Sequence, residues 1–322
     1  MRLRKRIRVG ITMGDPSGIG PFIILPALKK LNRVADCVVI GDATVLRKAS
    51  GIHRTSLGSR LIDLQNVDAR KFSFGRIDPK YGKASLEYVD RALSLLRRRE
   101  LDCLVTCPIS KEAIARAGFP YPGHTEYLAS KTSRKRFLMM LLNKGFKVSL
   151  VTRHIPLKKV SSFITTDQIL HTILMTVKGL RELFGILYPR VAVCGLNPHA
   201  SDNGLIGNEE LRAIRPAILR LKRKRGCRID GPIPSDTAMF QAARGRYDAV
   251  VAMYHDQALI PLKLLGNDSG VNLTIGLPFV RTSCLHGTAF DLVRSNPRQA
   301  DWHSLHEAIR VALQCTLKRK KD

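Results

Sequence analysis

The stretch YDAVVAMYHDQALIPLK, residues 247–263, opens on an unbroken apolar run, Ala249 to Ala252, and then places Tyr254, His255, Asp256 and Gln257 in succession. An alternating run would mark a strand with one wet face. A continuous one marks a strand covered on both faces, as in a parallel sheet between helices. The same pattern recurs in RIRVGITMGDPSGIGP (6–21), ADCVVIGDA (35–43), LDCLVTCPISKEA (101–113), KVSLVTRHIPLKKV (147–160) and RVAVCGLNPHASDNG (190–204). Between these runs, SLEYVDRALSLLRRR (85–99) and LHTILMTVKGLRELFG (170–185) repeat their apolar residues every three or four positions, the period of a helix. Strands alternating with helices predict an α/β fold with a largely parallel sheet. A chain of 322 residues is long enough for about two lobes.

Composition narrows the class. No apolar run reaches the roughly 18 residues of a membrane span. The basic opening lacks an apolar core, so no secretory leader is expected. Seven scattered cysteines, odd in number, suggest reduced thiols and a cytoplasmic location. The net charge of +28 would attract polyanions. However, the basic runs at 2–8, 133–137, 221–226 and 317–321 are dispersed, and aromatics are only 6%. No common nucleic-acid module matches, so specific nucleic-acid binding is a remote alternative. Attraction of a small anionic substrate, or a plain compositional bias, fits better.

In parallel α/β sheets, ligands bind beyond the carboxyl ends of the strands. The unusual polar residues fall there: Asp15, Thr106, His154, Asn197, His199, His255 and Asp256. His154, His199 and His255 have no local metal-ligand spacing. Strand ends could still gather their imidazoles around a divalent ion, with unrelated loop histidines as the alternative. Asp256 is either an orienting partner of His255 or a helix cap. PGHTEYLA (122–129) reads as a helix start capped by His124 or Thr125, and such a terminus also suits a phosphate or carboxylate. Arg281 with Lys263 supplies two cations suited to a phosphorylated acid. GDPSGIGP (14–21) lacks the spacing of a dinucleotide fingerprint. The residues themselves therefore point to a metal-assisted enzyme acting on a small anion.

Seven stretches in order, ITMGDPSGIGP, TCPISKEAIARAGFPYPGHTEYLA, VTRHIPL, GLNPHA, GPIPSDTAMF, YDAVVAMYHDQALIPLK and VNLTIGLPFVRTSCLHGTAFD, span residues 11–291. This set resembles the PdxA family, the 4-hydroxythreonine-4-phosphate dehydrogenases of vitamin B6 biosynthesis. The resemblance implies a two-lobed α/β/α subunit of the isocitrate/isopropylmalate dehydrogenase kind. Residues 1–125 with about 282–322 would form one lobe and 126–281 the other, with the active site in the cleft between them. It also implies a homodimer with shared sites and a divalent ion (Zn, Mg, Mn or Co) on His154, His199 and His255, the last of these given by the partner subunit. Substrate contacts would be His124, Thr125, Lys263, Asn272 and Arg281, with Asp236 a further pocket residue. Lys263 and His199 would serve catalysis, while His286, Thr288 and Asp291 would hold NAD or NADP.

The implied reaction oxidises the C3 hydroxyl of 4-phosphooxy-L-threonine, and decarboxylation then gives 3-amino-2-oxopropyl phosphate. A related dehydrogenase of threonate or erythronate 4-phosphate is the nearest alternative. The chain departs from the family pattern at Phe22 (usually glutamate), at Ser201 and Asp202 (usually Gly-Glu) and at Ala258 (usually glycine). It departs again at Leu292 to Arg294, where a small residue and Ala-Gly are usual, and Arg294 bears on the choice between NAD and NADP.

Overall fold

The apolar runs become strands and the periodic stretches become helices. The structure, a computed structural model, describes residues 6–29, 31, 35–53, 60–134, 136–221, 226–266 and 269–319. Much of the basic sequence, at 2–5, 222–225 and 320–321, lies outside the described residues. In chain order come β1 (Arg8–Thr12), α1 (Gly20–Lys29), β2 (Asp36–Gly41), α2 (Ala43–His53), β3 (Arg60–Asp63), α3 (Pro79–Arg97), β4 (Cys103–Thr106), α4 (Lys111–Arg116) and α5 (His124–Lys131). Next are β5 (Leu138–Asn143), β6 (Phe146–Leu150), α6 (Val160–Phe163), α7 (Thr166–Phe184), β7 (Arg190–Cys194), α8 (Arg215–Leu219), β8 (Arg228–Ile233), α9 (Ser235–Ala243), β9 (Ala249–Ala252) and α10 (His255–Leu264). The chain closes with β10 (Val271–Ile275), β11 (Val280–Cys284), α11 (Phe290–Ser295) and α12 (His303–Arg319).

Two compact units divide the chain. The first comprises Met1–Lys135, Asp268–Asn272 and Leu277–Leu317; the second comprises Arg136–Asn267, Leu273–Gly276 and Lys318–Asp322. The first unit therefore takes in all of α5, which the expected limit at 125 splits, and Asn272 and Arg281, which the limit at about 282 gave to the other lobe.

In the first unit the strand order is β3-β2-β1-β4-β11, with all these pairs parallel. The chain runs outward from β1 through β2 and β3 and restarts on the other side of β1 with β4. The carboxyl ends of β1 and β4 therefore form a topological switch point, where a crevice opens for ligands. Thr12 pairs in register with Thr106, and Ser283 of β11 with Thr106. The loop after β1 is tightly built. A Cβ on Gly20 would lie 2.0 Å from the Met13 carbonyl oxygen, so only glycine fits there.

In the second unit the order is β5-β6-β9-β7-β8, parallel except for the β5–β6 pair. That hairpin turns on Lys144 and Gly145, both at positive φ (45° and 88°), as a two-residue turn requires. β7 leads outward to β8 and the chain returns to β9 on its other side, giving a second switch point between β7 and β9. β6, β9 and β7 are neighbours, so the loops after them leave one edge of the sheet. Those loops carry His154, His255 and His199.

The helices cover strands whose residues are almost wholly buried, as at β4 and β9. α7 ends on Gly185 in the left-handed region (φ 69°), and α3 begins on Asp78, whose carboxylate accepts from the Lys80 amide. Phe22, where the family pattern has glutamate, is buried on α1 with its ring centroid 4.6 Å from that of Phe74. Ala258 lies buried within α10, so its Cβ meets ordinary helical geometry and not a loop.

Candidate active site

The polar residues gather around the two switch points. In the first unit, Arg281 of β11 is one of the largest fully buried side chains, 1% exposed, and so is not a surface ion pair. Its Nη2 donates to Thr106 Oγ1 at 2.7 Å and its Nη1 to Thr125 Oγ1 at 3.4 Å. Burial pulls the guanidinium down to about 10. His124 lies beside it, and burial together with the Arg281 charge holds the imidazole well below its usual range. At neutral pH the cluster is one fixed cation, two hydroxyls and a neutral imidazole. His124 Nε2 and Asn272 Oδ1 are buried without a hydrogen-bond partner among the described residues. Buried polar atoms of this kind ask for a ligand or water. A buried guanidinium flanked by two hydroxyls fits a phosphate or carboxylate.

The expected cap at 124 or 125 is corrected. α5 is capped by Gly123 with no side-chain cap bond, and His124 opens the helix. Thr125 instead turns its hydroxyl to Arg281.

In the sequence Asp15 is one strand-end polar residue among several. The structure buries it completely (0% exposed) in the loop after β1. Oδ1 accepts from the Ser17 amide at 2.9 Å, while Oδ2 has no partner among the described residues. Burial pushes this carboxyl up to about 7, against the lowering effect of the Ser17 amide and with a further push from Asp78. The Ile19 amide of the same loop donates to the Thr288 carbonyl at 2.9 Å. His286, two residues before Thr288, also buries an Nε2 without a partner among the described residues. Two loops bonded to each other, each carrying an unmet buried polar atom, fit a polar cofactor lying along them. Asp291 is exposed at the start of α11.

In the second unit His154 and His255 are neighbours, with ring centroids 5.7 Å apart. His255 opens α10, whose cap is Tyr254, so Asp256 is not the cap. Asp256 Oδ1 lies 2.6 Å from His255 Nδ1, which leaves Nε2 as the outward nitrogen. Among the described residues no three His, Cys, Asp or Glu side chains are grouped closely enough to hold a metal ion. Two imidazoles, one oriented by a carboxylate, still match the donor chemistry of a divalent-ion site.

His199 sits on the loop after β7, in a run of five residues (199–203) at positive φ: 53°, 53°, 70°, 43° and 58°. Glu210, absent from the sequence expectations, holds the base of that loop. Its Oε1 accepts from the amides of Leu196 (2.7 Å) and Asn197 (2.8 Å), and its Oε2 from Asn197 Nδ2 (2.9 Å). Gln257 ties the two strand ends together, accepting from the Met253 amide and donating to the Gly195 carbonyl. Lys263 is exposed in the last turn of α10. Asn143 Nδ2 fixes that turn by donating to the Leu262 and Gly266 carbonyls. Asp236 and Asp256 line a cavity of about 440 Å³ with Tyr254 and Gln257.

A buried arginine with two hydroxyls and a neutral imidazole at one switch point, and a pair of neighbouring histidines at the other, define a class: an enzyme that handles a small anionic substrate. The comparisons narrow that class. The description of pyridoxal phosphate biosynthetic protein PdxA matches residues 33–312. A 4-hydroxythreonine-4-phosphate dehydrogenase of Desulfosudis oleivorans is 42% identical over 97% of this chain and 96% of its own. A relative from Oceanobacillus iheyensis, provisionally named D-threonate 4-phosphate dehydrogenase, is 38% identical over 96% of this chain and 99% of its own. The crystal structure of 4-hydroxythreonine-4-phosphate dehydrogenase from Klebsiella pneumoniae superposes with a TM-score of 0.84 at 35% identity, covering 99% of this chain and 100% of that one. The chain belongs to the PdxA family and is an oxidoreductase of pyridoxal phosphate biosynthesis.

Proposed function

We propose that this chain oxidises 4-phosphooxy-L-threonine at its C3 hydroxyl with NAD or NADP, and that the 3-keto acid then loses carbon dioxide to give 3-amino-2-oxopropyl phosphate. The observation that carries this reading is the buried Arg281 with Thr106, Thr125 and a neutral His124, a receptor for an anionic group. The names of relatives at 42% and 43% identity support this substrate, while the Oceanobacillus iheyensis relative at 38% carries the name of the D-threonate ester.

When bound, a nicotinamide dinucleotide would supply the hydride acceptor and a divalent ion (Zn, Mg, Mn or Co) a Lewis acid for the substrate oxygen. The chain's own residues do the rest. Arg281 and Thr125 orient an anionic end of the substrate, His124 stays neutral beside them and donates or accepts one hydrogen bond, and Asn272 fills the remaining polar position. Lys263, on a helix turn held by Asn143, exchanges the protons that the oxidation releases and the decarboxylated carbon takes up. His154, His255 and His199 would hold the ion, with Asp256 orienting His255. Asp236 is a further substrate contact, and His286, Thr288 and Asp291 would hold the dinucleotide.

The chain acts as a homodimer with shared sites. Phe240, Ile260 and Leu264 stand exposed around the cavity beside α10, an apolar face suited to a second copy. None of the seven cysteines, all of them among the described residues, forms a disulfide. Burial pushes Cys37, Cys103, Cys194 and Cys284 up to about 12, in keeping with a reducing cytoplasm.

The test is reduced-cofactor absorbance with 4-phosphooxy-L-threonine, D-threonate 4-phosphate and D-erythronate 4-phosphate in turn, with NAD or NADP, with and without chelator. The first substrate should lead in kcat/KM, and chelator should abolish turnover. Preference for a threonate or erythronate ester would move the assignment to that substrate. Silence with all three would reject the reading.

A further inference from the structure

We propose that Arg294 sets the phosphate state of the cofactor, making the chain accept a dinucleotide with a 2′-phosphate on its adenosine ribose. This rests on the reading that a nicotinamide dinucleotide lies along the 286–291 segment.

Asp291 and Arg294 lie one turn apart on α11, and Arg294 Nη2 donates to Asp291 Oδ1. Both side chains are largely exposed, at 95% and 61%, so the pair contributes little to stability. Its effect is on charge. A lone carboxylate beside an adenosine ribose bonds the free 2′-hydroxyl and repels a 2′-phosphate, whereas an arginine there accommodates the phosphate. With Arg294 on it, the Asp291 carboxylate is charge-compensated. The guanidinium keeps further N–H donors in a planar fork that suits phosphate.

Arg294 is also built into the fold through its stem. A Cβ on Gly75 would lie 2.2 Å from Arg294 Cγ and 3.0 Å from Cδ, and Gly75 takes a positive φ of 74°. Space and backbone conformation both require glycine opposite this stem. The Gly75 amide donates to the Ser17 carbonyl at 2.8 Å and the Arg76 amide to Ser17 Oγ at 2.6 Å. Ser17 belongs to the loop whose Ile19 amide bonds the Thr288 carbonyl. The arginine's aliphatic part therefore packs on a segment tied to the proposed cofactor loop, while its head faces solvent. The family pattern places glycine at position 294, so this side chain is an addition of this chain.

The test is the dissociation constant of NADH and of NADPH, read from nicotinamide fluorescence on the full chain at low and at moderate salt. Arg294→Gln keeps the stem and removes the charge; Arg294→Lys restores a point charge. Circular dichroism checks that each variant is folded. The ratio of NADPH to NADH affinity should fall roughly tenfold or more in Arg294→Gln and recover in part in Arg294→Lys, as expected for losing a charge-assisted contact. Because the substitution removes one charge from a net +28, a ratio set only by overall charge would hardly move. A ratio within twofold of the unmodified chain in Arg294→Gln overturns the proposal alone. Failure of the unmodified chain to bind either dinucleotide overturns it together with the reading beneath it.

Discussion

Replacing Asp15 by asparagine should stabilise the protein above neutral pH and leave it almost unchanged near pH 4. Asp15 is fully buried, with one oxygen on the Ser17 amide and the other without a partner among the described residues. Its carboxyl stands at about 7 in the folded chain against an ordinary value of 3.8. At about 1.4 kcal/mol per tenfold change, ionising it in the folded state costs about 4 kcal/mol more than in the unfolded chain. Below pH 4 both states carry the proton and the site is neutral in its effect. Between pH 4 and 7 only the unfolded chain gives the proton up, so stability falls as pH rises through that window. Asparagine keeps an acceptor for the Ser17 amide and has no proton to lose.

Urea unfolding of both proteins at pH 4.5 and pH 8 measures the effect. Trp302, the only tryptophan, lies in the same unit as Asp15 and reports on it. The stability gap between variant and parent should widen with pH by about 2–4 kcal/mol, the upper figure being the full linkage. A gap that stays constant within about 0.5 kcal/mol would refute the reasoning, because no other titrating group differs between the two proteins.

Three further outcomes follow from described contacts. Arg281→Met should lower kcat/KM by about 100-fold or more, the scale of a lost buried charge contact, while thermal melting shows the fold intact. Glu210→Gln should destabilise the second unit by about 1–3 kcal/mol, because the Leu196 and Asn197 amides lose a charged acceptor; chemical denaturation reads this directly. Gly20→Ala should prevent normal folding of the loop after β1, since its Cβ would meet the Met13 carbonyl oxygen at 2.0 Å; loss of dinucleotide binding and a lowered melting temperature would register it.

The sequence carried the strands and long helices plainly because continuous apolar runs and a three-to-four periodicity follow directly from burial. α3 and α7 fall where 85–99 and 170–185 predicted them. Placement of polar residues at strand ends was legible for the same reason. What escaped reading acts through distant backbone. Gln257 reaches Gly195, 62 residues away, and Glu210 reaches Leu196 from the other side of a loop. Neither leaves a local pattern. Arg281 reads as an ordinary strand arginine until the fold seals it beneath Thr106 and Thr125. The β5–β6 hairpin was missed because Lys144-Gly145 is a turn signal set among residues that all look like core. The start of α5 at His124 was misplaced because Gly123 caps it without any side-chain bond.

The run from His199 to Asn203 winds in the mirror image of the usual helical sense. For L-residues each step in that region costs roughly 1–2 kcal/mol, whereas for their enantiomers it is the relaxed state. A chain assembled by chemical ligation with D-alanine in place of Ala200 should therefore hold the His199 loop more firmly than the natural chain, which makes this turn a place where inverted chirality would strengthen an enzyme.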